Sequence, residues 1–176
     1  MARVGPPLSP LQRVLLTTDG TVTHVLESYW DEPIHVVKLD QAQHATEVTI
    51  AAMKPAGPET VMRRTILLQG AQTKENYVYA ESVILADRLA PRMAESLLTT
   101  DEPIGRLLIE ARLETFREVL DCGREPAGDR RRHFGLDPSA LLISRTYRVI
   151  AGHRPIMLIT EKFPATAWLD GAQGRP

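Results

Sequence analysis

The sequence contains one cysteine, few aromatic residues, almost no net charge and no long hydrophobic run. Cys122 alone excludes an intramolecular disulfide and any zinc site built on several thiolates. Phe, Trp and Tyr make up 5% of the chain, too few for a base-stacking platform, and a net charge of −1 gives no general attraction for nucleic acid or anionic lipid. Since no apolar run approaches the ~20 residues of a membrane span and Met1–Pro10 lacks the apolar core of a signal peptide, we expect a soluble cytoplasmic protein.

The familiar catalytic signatures are missing as well. No segment matches a Walker loop, a dinucleotide-binding glycine fingerprint, a Gly-x-Ser-x-Gly elbow or a His-Glu-x-x-His zinc helix. The five histidines have no ligand-like spacing, so we predict no metal site. Cys122 has no evident partner base, and we interpret it as a small structural hydrophobe. Glu125 and Asp129 lie next to the triplet Arg130–Arg132, just before it, which favours a solvated loop over phosphate binding.

The composition that remains is that of a globular protein: 43% hydrophobic and 24% charged residues in a chain of 176. This length fits one domain, residues 1–176, with an ordered core of about residues 9–168. Ser9 and Thr21 are candidate caps of two short N-terminal helices separated by Asp19-Gly20. Two further helices are predicted at Pro91–Leu98 and Pro103–Glu110.

Extended segments dominate the rest of the chain. The predicted strands are Ile34–Leu39, Val61–Leu68, Tyr77–Leu85, Leu113–Cys122 (with a helix as the alternative), Leu141–Ile150 and Ile156–Phe163. Surface loops are predicted at Met53–Glu59 and Gly123–Asp137. Five or six strands with few long helices between them favour an antiparallel α+β domain over a parallel βαβ sheet.

Two charged residues lie on apolar faces of these strands. Alternation places Arg64 on the same face as its apolar neighbours in Val61–Leu68, and Glu161 likewise in Ile156–Phe163. Because burying a lone ion is costly, each needs a partner. Either the two side chains pair with each other or with neighbours, or they form an enclosed site. In such a site Arg64 grips a substrate carboxylate and a protonated Glu161 donates to a hydroxyl or ether oxygen.

The start of the predicted helix Pro103–Glu110 also indicates a binding site for an anion. The run Asp101-Glu102-Pro103-Ile104-Gly105 opens a predicted helix. The first backbone N–H groups of this helix, those of Ile104, Gly105 and Arg106, are therefore free to donate hydrogen bonds to an anion. Gly105 permits close approach of a ligand. The alternative is an ordinary helix that Asp101 caps and that touches only water.

These residues belong to a wider ordered pattern. It consists of Asp19-Gly20-Thr21-Val22-Thr23, Arg64-Thr65-Ile66-Leu67-Leu68, Ala80-Glu81-Ser82, Asp101-Glu102-Pro103-Ile104-Gly105, Glu114-Thr115-Phe116, Tyr147-Arg148-Val149, Pro155-Ile156 and Thr160-Glu161. In order and spacing the chain resembles the chorismate pyruvate-lyase family, especially its actinobacterial branch that makes 4-hydroxybenzoate. The similarity extends from about Leu11 to Trp168.

The resemblance implies a six-stranded antiparallel sheet with short helical flaps over an enclosed pocket. It also implies a cofactor-free elimination that converts chorismate to 4-hydroxybenzoate and pyruvate. By position, Arg64 matches the arginine that holds the ring carboxylate, the backbone N–H of Ile104 assists it, and Glu161 matches the catalytic glutamate. Val22 falls where the N-terminal flap makes an apolar contact, and Ala80 falls near a small residue that lines the product pocket.

One position departs from part of the family. The ubiquinone-pathway enzymes have an arginine at the position of Glu81, whereas Glu81 agrees with the actinobacterial branch. We assign Glu81, Glu114 and Arg148 to packing or surface pairing. Two other functions remain open: a non-catalytic sensor like the UTRA domains of bacterial repressors, or a diverged enzyme for another carboxylated ligand. We rank the sensor lower because only about 33 residues precede the first predicted strand. The expected partner is a small molecule, and a monomer is consistent with the sequence.

Overall fold

The computed structural model describes residues 7–47, 51–54 and 57–166. Its helices are α1 (Pro10–Thr17), α2 (Val22–Trp30), α3 (Pro91–Thr99), α4 (Ile104–Glu110) and α5 (Arg131–Phe134). Its strands are β1 (Ile34–Glu47), β2 (Pro58–Gly70), β3 (Asn76–Leu85), β4 (Phe116–Pro126), β5 (Leu141–Ala151) and β6 (Arg154–Pro164). Trp168, which we expected near the end of the ordered core, lies outside the described residues. No helix in the described ranges is long and apolar enough to cross a membrane.

The six strands form one sheet in the order β1-β2-β3-β6-β5-β4. Every neighbouring pair is antiparallel, which confirms the predicted six-stranded α+β fold. The β5–β6 hairpin turns at Gly152 and His153, whose φ angles of 53° and 63° match the positive values that tight two-residue hairpin turns require. The strands of the two central hairpins, β2–β3 and β5–β6, meet where β3 pairs with β6.

Helices α1 to α4 cover one face of this sheet. One apolar cluster joins α1 and α2 to the sheet through buried residues such as Leu15 and Leu26. A second cluster joins α3 and α4 to the other part of the same face through Leu97 and Leu107. Since each helical pair buries its own cluster, the space between the two pairs is left for a site above the middle of the sheet.

The first helix begins as its sequence predicts. Ser9 accepts a hydrogen bond from the backbone N–H of Gln12, and the Gln12 side chain accepts one from Ser9 N–H, which completes a capping box. The Gln12 amide also donates to the carbonyls of Pro164 and Ala165, which ties α1 to the end of β6. Thr21 occupies the N-cap position of α2, but its side chain makes no capping hydrogen bond, so that part of the expectation is wrong.

Two predicted boundaries are also wrong. β1 continues past Leu39 to Glu47 as an edge strand with a bulge between Lys38 and Asp40. Its polar second half shows no hydrophobic alternation because one side of an edge strand faces solvent. The predicted loop Gly123–Asp137 contains the end of β4, a 3-10 turn and α5. Backbone pairing with β5 extends β4 through a charged segment that side-chain polarity alone marks as a loop.

The predicted loop at Met53–Glu59 is partly regular. Ala51–Met53 forms a 3-10 turn, and β2 already begins at Pro58, where a strand tolerates proline as its first residue. Residues 55–56 lie outside the described part. The remaining predicted helices and strands are confirmed with ends that differ by a few residues, including the strand interpretation of Leu113–Cys122, which the structure places at Phe116–Pro126.

Candidate active site

Arg64 and Glu161 lie on the same, helix-covered face of the sheet. Arg64 is opposite Ser82 in the β2–β3 pair, and Glu161 is opposite Ala80 in the β3–β6 pair. Ser82 and Ala80 are two residues apart in β3 and therefore point to the same side. Both charged residues are buried, with 1% and 6% of their surfaces exposed. The parity argument from the sequence is therefore confirmed, and neither ion lies in bulk water.

A small cavity of about 50 Å³ lies on this face, where the N-terminal ends of α2 and α4 meet above the centre of the sheet. Its wall is largely apolar and includes Ile66, Leu68 and Ile159. Five of the predicted site residues line it, namely Val22, Ala80, Ile104, Gly105 and Glu161. Arg64 does not line it.

Glu161 is held by two side chains of β5. The Arg145 Nε donates to one carboxylate oxygen of Glu161 at 2.8 Å, and the Tyr147 hydroxyl donates to the other at 3.0 Å. Arg145 is 1% exposed, and its Nη1 donates to the Thr18 carbonyl at 2.9 Å. Of the two explanations left open, pairing with a neighbour is therefore what the structure shows for Glu161.

The electrostatics of this cluster follow from burial and charge. Burial acts to lower the pKa of Arg145, but the attraction of Glu161 and of Tyr147 outweighs it and the pKa is raised. Burial, reinforced by the charge of Glu161, raises the pKa of Tyr147 well above its usual value. Tyr147 therefore remains a hydrogen-bond donor and Arg145 remains a cation at any physiological pH.

Arg64 has the opposite kind of environment. Its Nη1 makes one long contact, 3.5 Å, to the Glu102 carbonyl, and its Nε and Nη2 are buried without an acceptor among the described residues. Burial lowers the pKa of Arg64, and the charge of Asp101 only partly offsets this. Asp101 itself forms an ion pair with Lys38 at 3.0 Å. A buried guanidinium with two unused donors is costly unless a ligand completes it.

Arg64 lies directly behind the cavity wall. Ser82, its cross-strand partner, lines the cavity, and so does Pro103, which follows the Glu102 carbonyl that Arg64 contacts.

The start of α4 differs in detail from the expectation. Pro103 is the N-cap residue, Asp101 makes no capping bond, and the Arg106 N–H already donates to the Pro103 carbonyl at 3.0 Å. Of the three N–H groups that we expected to be free, those of Ile104 and Gly105 have no acceptor among the described residues. A methyl group added at Gly105 would collide with the side chain of Thr21. The absence of a side chain thus lets the start of α2 pack closely on the start of α4.

Sequence reasoning missed Arg145 and Tyr147. The signal was available, since alternation in β5 puts both on the face of Ile143 and Val149, as it put Arg64 and Glu161 among apolar neighbours. Arg117 of β4, which also lines the cavity, had no such signal because β4 is an edge strand without a fully buried residue.

The residues assigned to packing lie elsewhere. Glu81 interacts with Arg130 on the other face of the sheet, where Arg148 pairs with Glu118 at 2.7 Å. Glu114 is exposed. Burial raises the pKa of the Cys122 thiol, as expected for a thiol in a packing position. Among the residues that the structure describes, no group of three or more His, Cys, Asp or Glu side chains is placed to hold a metal ion.

The family is decided by comparison with known sequences. The family model described as chorismate pyruvate-lyase Rv2949c-like matches residues 16–169. The chain belongs to this family. A chorismate pyruvate-lyase of Mycobacterium tuberculosis is 30% identical over 169 residues, which cover 93% of this chain and 84% of the relative. The chorismate pyruvate-lyase of Mycobacterium leprae is 30% identical over 165 residues, covering 90% and 76%.

Solved structures share the fold at low identity. The effector domain of PhnF from Mycobacterium smegmatis superposes with a TM-score of 0.67 at 9% identity, covering 85% of this chain and 91% of that domain. The C-terminal domain of the histidine utilization repressor from Pseudomonas syringae gives a TM-score of 0.56 at 16% identity, covering 81% and 98%. The ligand-binding domain of a putative GntR-family transcriptional regulator from Bordetella bronchiseptica also shares the fold, with a TM-score of 0.59 at 16% identity, covering 74% of this chain and 85% of that domain, so fold alone does not distinguish an enzyme from a sensor.

Proposed function

We propose that this protein is a chorismate lyase that eliminates pyruvate from chorismate and releases 4-hydroxybenzoate without a cofactor. The observation that carries the proposal is a largely apolar cavity with the Glu161 carboxylate in its wall and the buried, incompletely bonded guanidinium of Arg64 behind that wall. Membership of the family and the names of the mycobacterial relatives support the same reaction.

Arg64 is proposed to hold the ring carboxylate. Its free Nε and Nη2 can donate to the two oxygens of one carboxylate, the side-on geometry that guanidinium favours. The backbone N–H of Ile104 would add a third donor from the start of α4. Binding would then supply the hydrogen bonds that the buried guanidinium lacks in the free protein.

Glu161 is proposed to orient the ring. Because Arg145 and Tyr147 both donate hydrogen bonds to Glu161, we replace the expected proton-donor role with that of an acceptor for the C4 hydroxyl. Because Arg145 and Tyr147 fix both carboxylate oxygens, the acceptor is already positioned before substrate binds. Val22 and Ala80 would pack on the ring, whereas Gly105 would act indirectly, by letting Thr21 pack against the start of α4.

The elimination needs no oxidant or reductant. The C3–O bond breaks, C4 loses its hydrogen, and the departing enolpyruvyl group gains one hydrogen as it becomes pyruvate. Formation of the aromatic ring drives the reaction, so the tasks of the site are orientation and charge placement. Release of an aromatic product from beneath the helices is expected to be slow and to limit turnover.

The reaction is tested by mixing purified protein with chorismate and following 4-hydroxybenzoate and pyruvate by chromatography. Equal amounts of the two products, at a rate well above that of chorismate alone, would support the proposal. Boiled protein and the Arg64→Met variant serve as controls. A different hydroxybenzoate isomer, or no product from a folded protein, would contradict it.

A sensor is the second candidate, because the effector domain of PhnF and the domain of the histidine utilization repressor share this fold. Tight binding of chorismate or 4-hydroxybenzoate without turnover would favour that function. Turnover of another carboxylated enol ether, with chorismate inert, would instead indicate a diverged enzyme. The cytoplasmic location expected from the sequence is part of the proposal, and fractionation of the source cells tests it.

A further inference from the structure

Arg117 is a second cation at the cavity that has no carboxylate partner among the described residues. It lies on β4 opposite Val149 of β5, and its side chain lines the same cavity as Glu161. Its one hydrogen bond runs from Nη1 to the Asp19 carbonyl at 2.8 Å. Two of its three guanidinium nitrogens are therefore available to a ligand.

Arg117 also marks the border between the cavity and the surface. It lines an outer groove of about 370 Å³ between the start of α2 and the end of α4, and Thr21 and Leu108 likewise line both the groove and the cavity. A charge at that border is half-buried, so its field reaches into the cavity with little screening by solvent. In agreement with this, the positive charge of Arg117 works against the rise in the pKa of Tyr147.

The charges around the cavity can be counted. Glu161 and Arg145 neutralise each other at 2.8 Å. Arg64 and Arg117 remain, on strands β2 and β4 at different sides of the cavity, each without an anionic partner in the described chain. Two separated positive charges in an apolar enclosure fit a ligand that carries two carboxylates, because a monocarboxylate would leave one cation uncompensated.

We propose that Arg117 binds the second carboxylate of a dicarboxylate substrate, at the mouth of the cavity, while Arg64 binds the first. The inference rests on the proposed function, in which the second carboxylate is that of the enolpyruvyl side chain. Arg117 is then a specificity-determining residue that separates the dianionic substrate from its monoanionic aromatic product. Such a contact exists equally before and during bond breaking, so it acts on KM more than on kcat.

A purely structural role makes a different prediction. If Arg117 only fastened the α1–α2 turn through the Asp19 carbonyl, its loss would weaken every ligand beneath that turn to the same degree. Two non-reacting probes separate the roles: 4-hydroxybenzoate, with one carboxylate, and 3-(carboxymethoxy)-4-hydroxybenzoate, which carries a second carboxylate on the adjacent ether.

Calorimetry on Arg117→Gln is expected to show binding of the dicarboxylate weakened about 10- to 100-fold and binding of 4-hydroxybenzoate weakened less than about threefold. Arg117→Lys should lie between wild type and Arg117→Gln. Arg112→Gln is the matched control, because Arg112 is exposed and lines the outer groove but not the cavity. It removes the same charge nearby and should leave both affinities unchanged. Thermal unfolding of each variant verifies folding.

Equal weakening of the two probes, or no weakening of either, would overturn the inference. With chorismate, the expected change in Arg117→Gln is a KM raised 10- to 100-fold with kcat nearly retained, and an unchanged KM would also overturn it. Wild-type protein that binds the dicarboxylate through Arg117 but does not turn over chorismate would refute the proposed function and support the inference. Wild-type protein that binds neither probe would refute both.

Discussion

Arg88 and Arg64 are both buried arginines, and the structure treats them in opposite ways. The Arg88 guanidinium makes two hydrogen bonds to Glu59, each at 2.6 Å, and three to the carbonyls of Met53, Lys54 and Pro155. Arg64 makes one contact at 3.5 Å and leaves two nitrogens unused. Both guanidinium groups are withdrawn from solvent, since the Arg88 side chain is 3% exposed and the whole of Arg64 is 1% exposed.

The difference separates structural from functional burial. Arg88 joins the segment after β1, the start of β2 and the β5–β6 hairpin, so its hydrogen bonds are complete within the protein. Arg64 lies behind the cavity wall with two nitrogens that lack an acceptor among the described residues, and we propose that a ligand completes its hydrogen bonds. A fully bonded buried ion is evidence for stability of the local structure, whereas an incompletely bonded one is evidence for binding.

The largest effect that would test this comparison is expected from Arg64→Met. The variant should bind 4-hydroxybenzoate more than about 100-fold more weakly, since it removes the charge and both donors that a carboxylate would use. Its stability should be unchanged or increased, because the variant buries no incompletely bonded ion. Calorimetry and urea unfolding measure the two effects.

Arg64→Lys is the matched control for charge. It retains the cation but not the planar fork, so it should recover only part of the affinity. If Arg64→Met were strongly destabilised but bound 4-hydroxybenzoate with normal affinity, Arg64 would have a structural role like that of Arg88, and the proposed difference between the two arginines would be wrong.

Glu161→Gln should give the next largest effect, a fall in kcat of about 100-fold with a smaller change in KM, because it weakens an acceptor aimed at the reacting ring. The amide also leaves Arg145 without its anion, so the folded fraction must be measured by circular dichroism. Tyr147→Phe is the milder companion, since it removes one hydrogen bond to Glu161 and keeps the ion pair. A wild-type kcat in Glu161→Gln would exclude Glu161 from the mechanism.

Arg88→Met tests the other side of the comparison. It should lower the free energy of unfolding by about 3 kcal/mol, because Glu59 and three carbonyls lose their donor. KM and kcat of the folded protein should stay at wild-type values. Urea unfolding beside steady-state kinetics measures both, and a raised KM without loss of stability would contradict the structural role.

Local alternation predicted an antiparallel α+β domain and the two buried charges, Arg64 and Glu161, whereas the six-stranded sheet with flaps over a pocket was implied by the resemblance to the family. Arg64 and Glu161 lie on strands with one apolar face, where a charged residue at a position that the alternation assigns to the apolar face can be recognised in the sequence. The polar half of β1 and the charged end of β4 were not predictable in this way, since edge strands pair through their backbone whatever their side chains are. The pairing of Glu161 with Arg145 depends on which strands are neighbours, and one sequence does not give that order.

The smallest effect concerns a second buried carboxylate, that of Glu32, which belongs with Arg88 as a fully bonded ion. The backbone N–H groups of Gln72 and Thr73 and the hydroxyls of Thr73 and Tyr77 all donate to it, at 2.6 to 3.1 Å. Burial acts to raise the pKa of Glu32, but these hydrogen bonds outweigh it and lower the pKa to about 2.

Because the folded pKa of Glu32 lies below its usual value of 4.5, this group stabilises the fold above that pH and loses its contribution as the pH falls from 4.5 towards 2. Glu32→Gln should lower the free energy of unfolding by about 2 kcal/mol at neutral pH. It should also reduce the fall of that free energy between pH 4.5 and 2, as urea unfolding across this range measures. The shift in melting temperature on adding 4-hydroxybenzoate should persist in Glu32→Gln and vanish in Arg64→Met. If Glu32→Gln abolished the shift as well, a fully bonded buried ion would also be needed for binding, and the distinction drawn from Arg88 and Arg64 would fail.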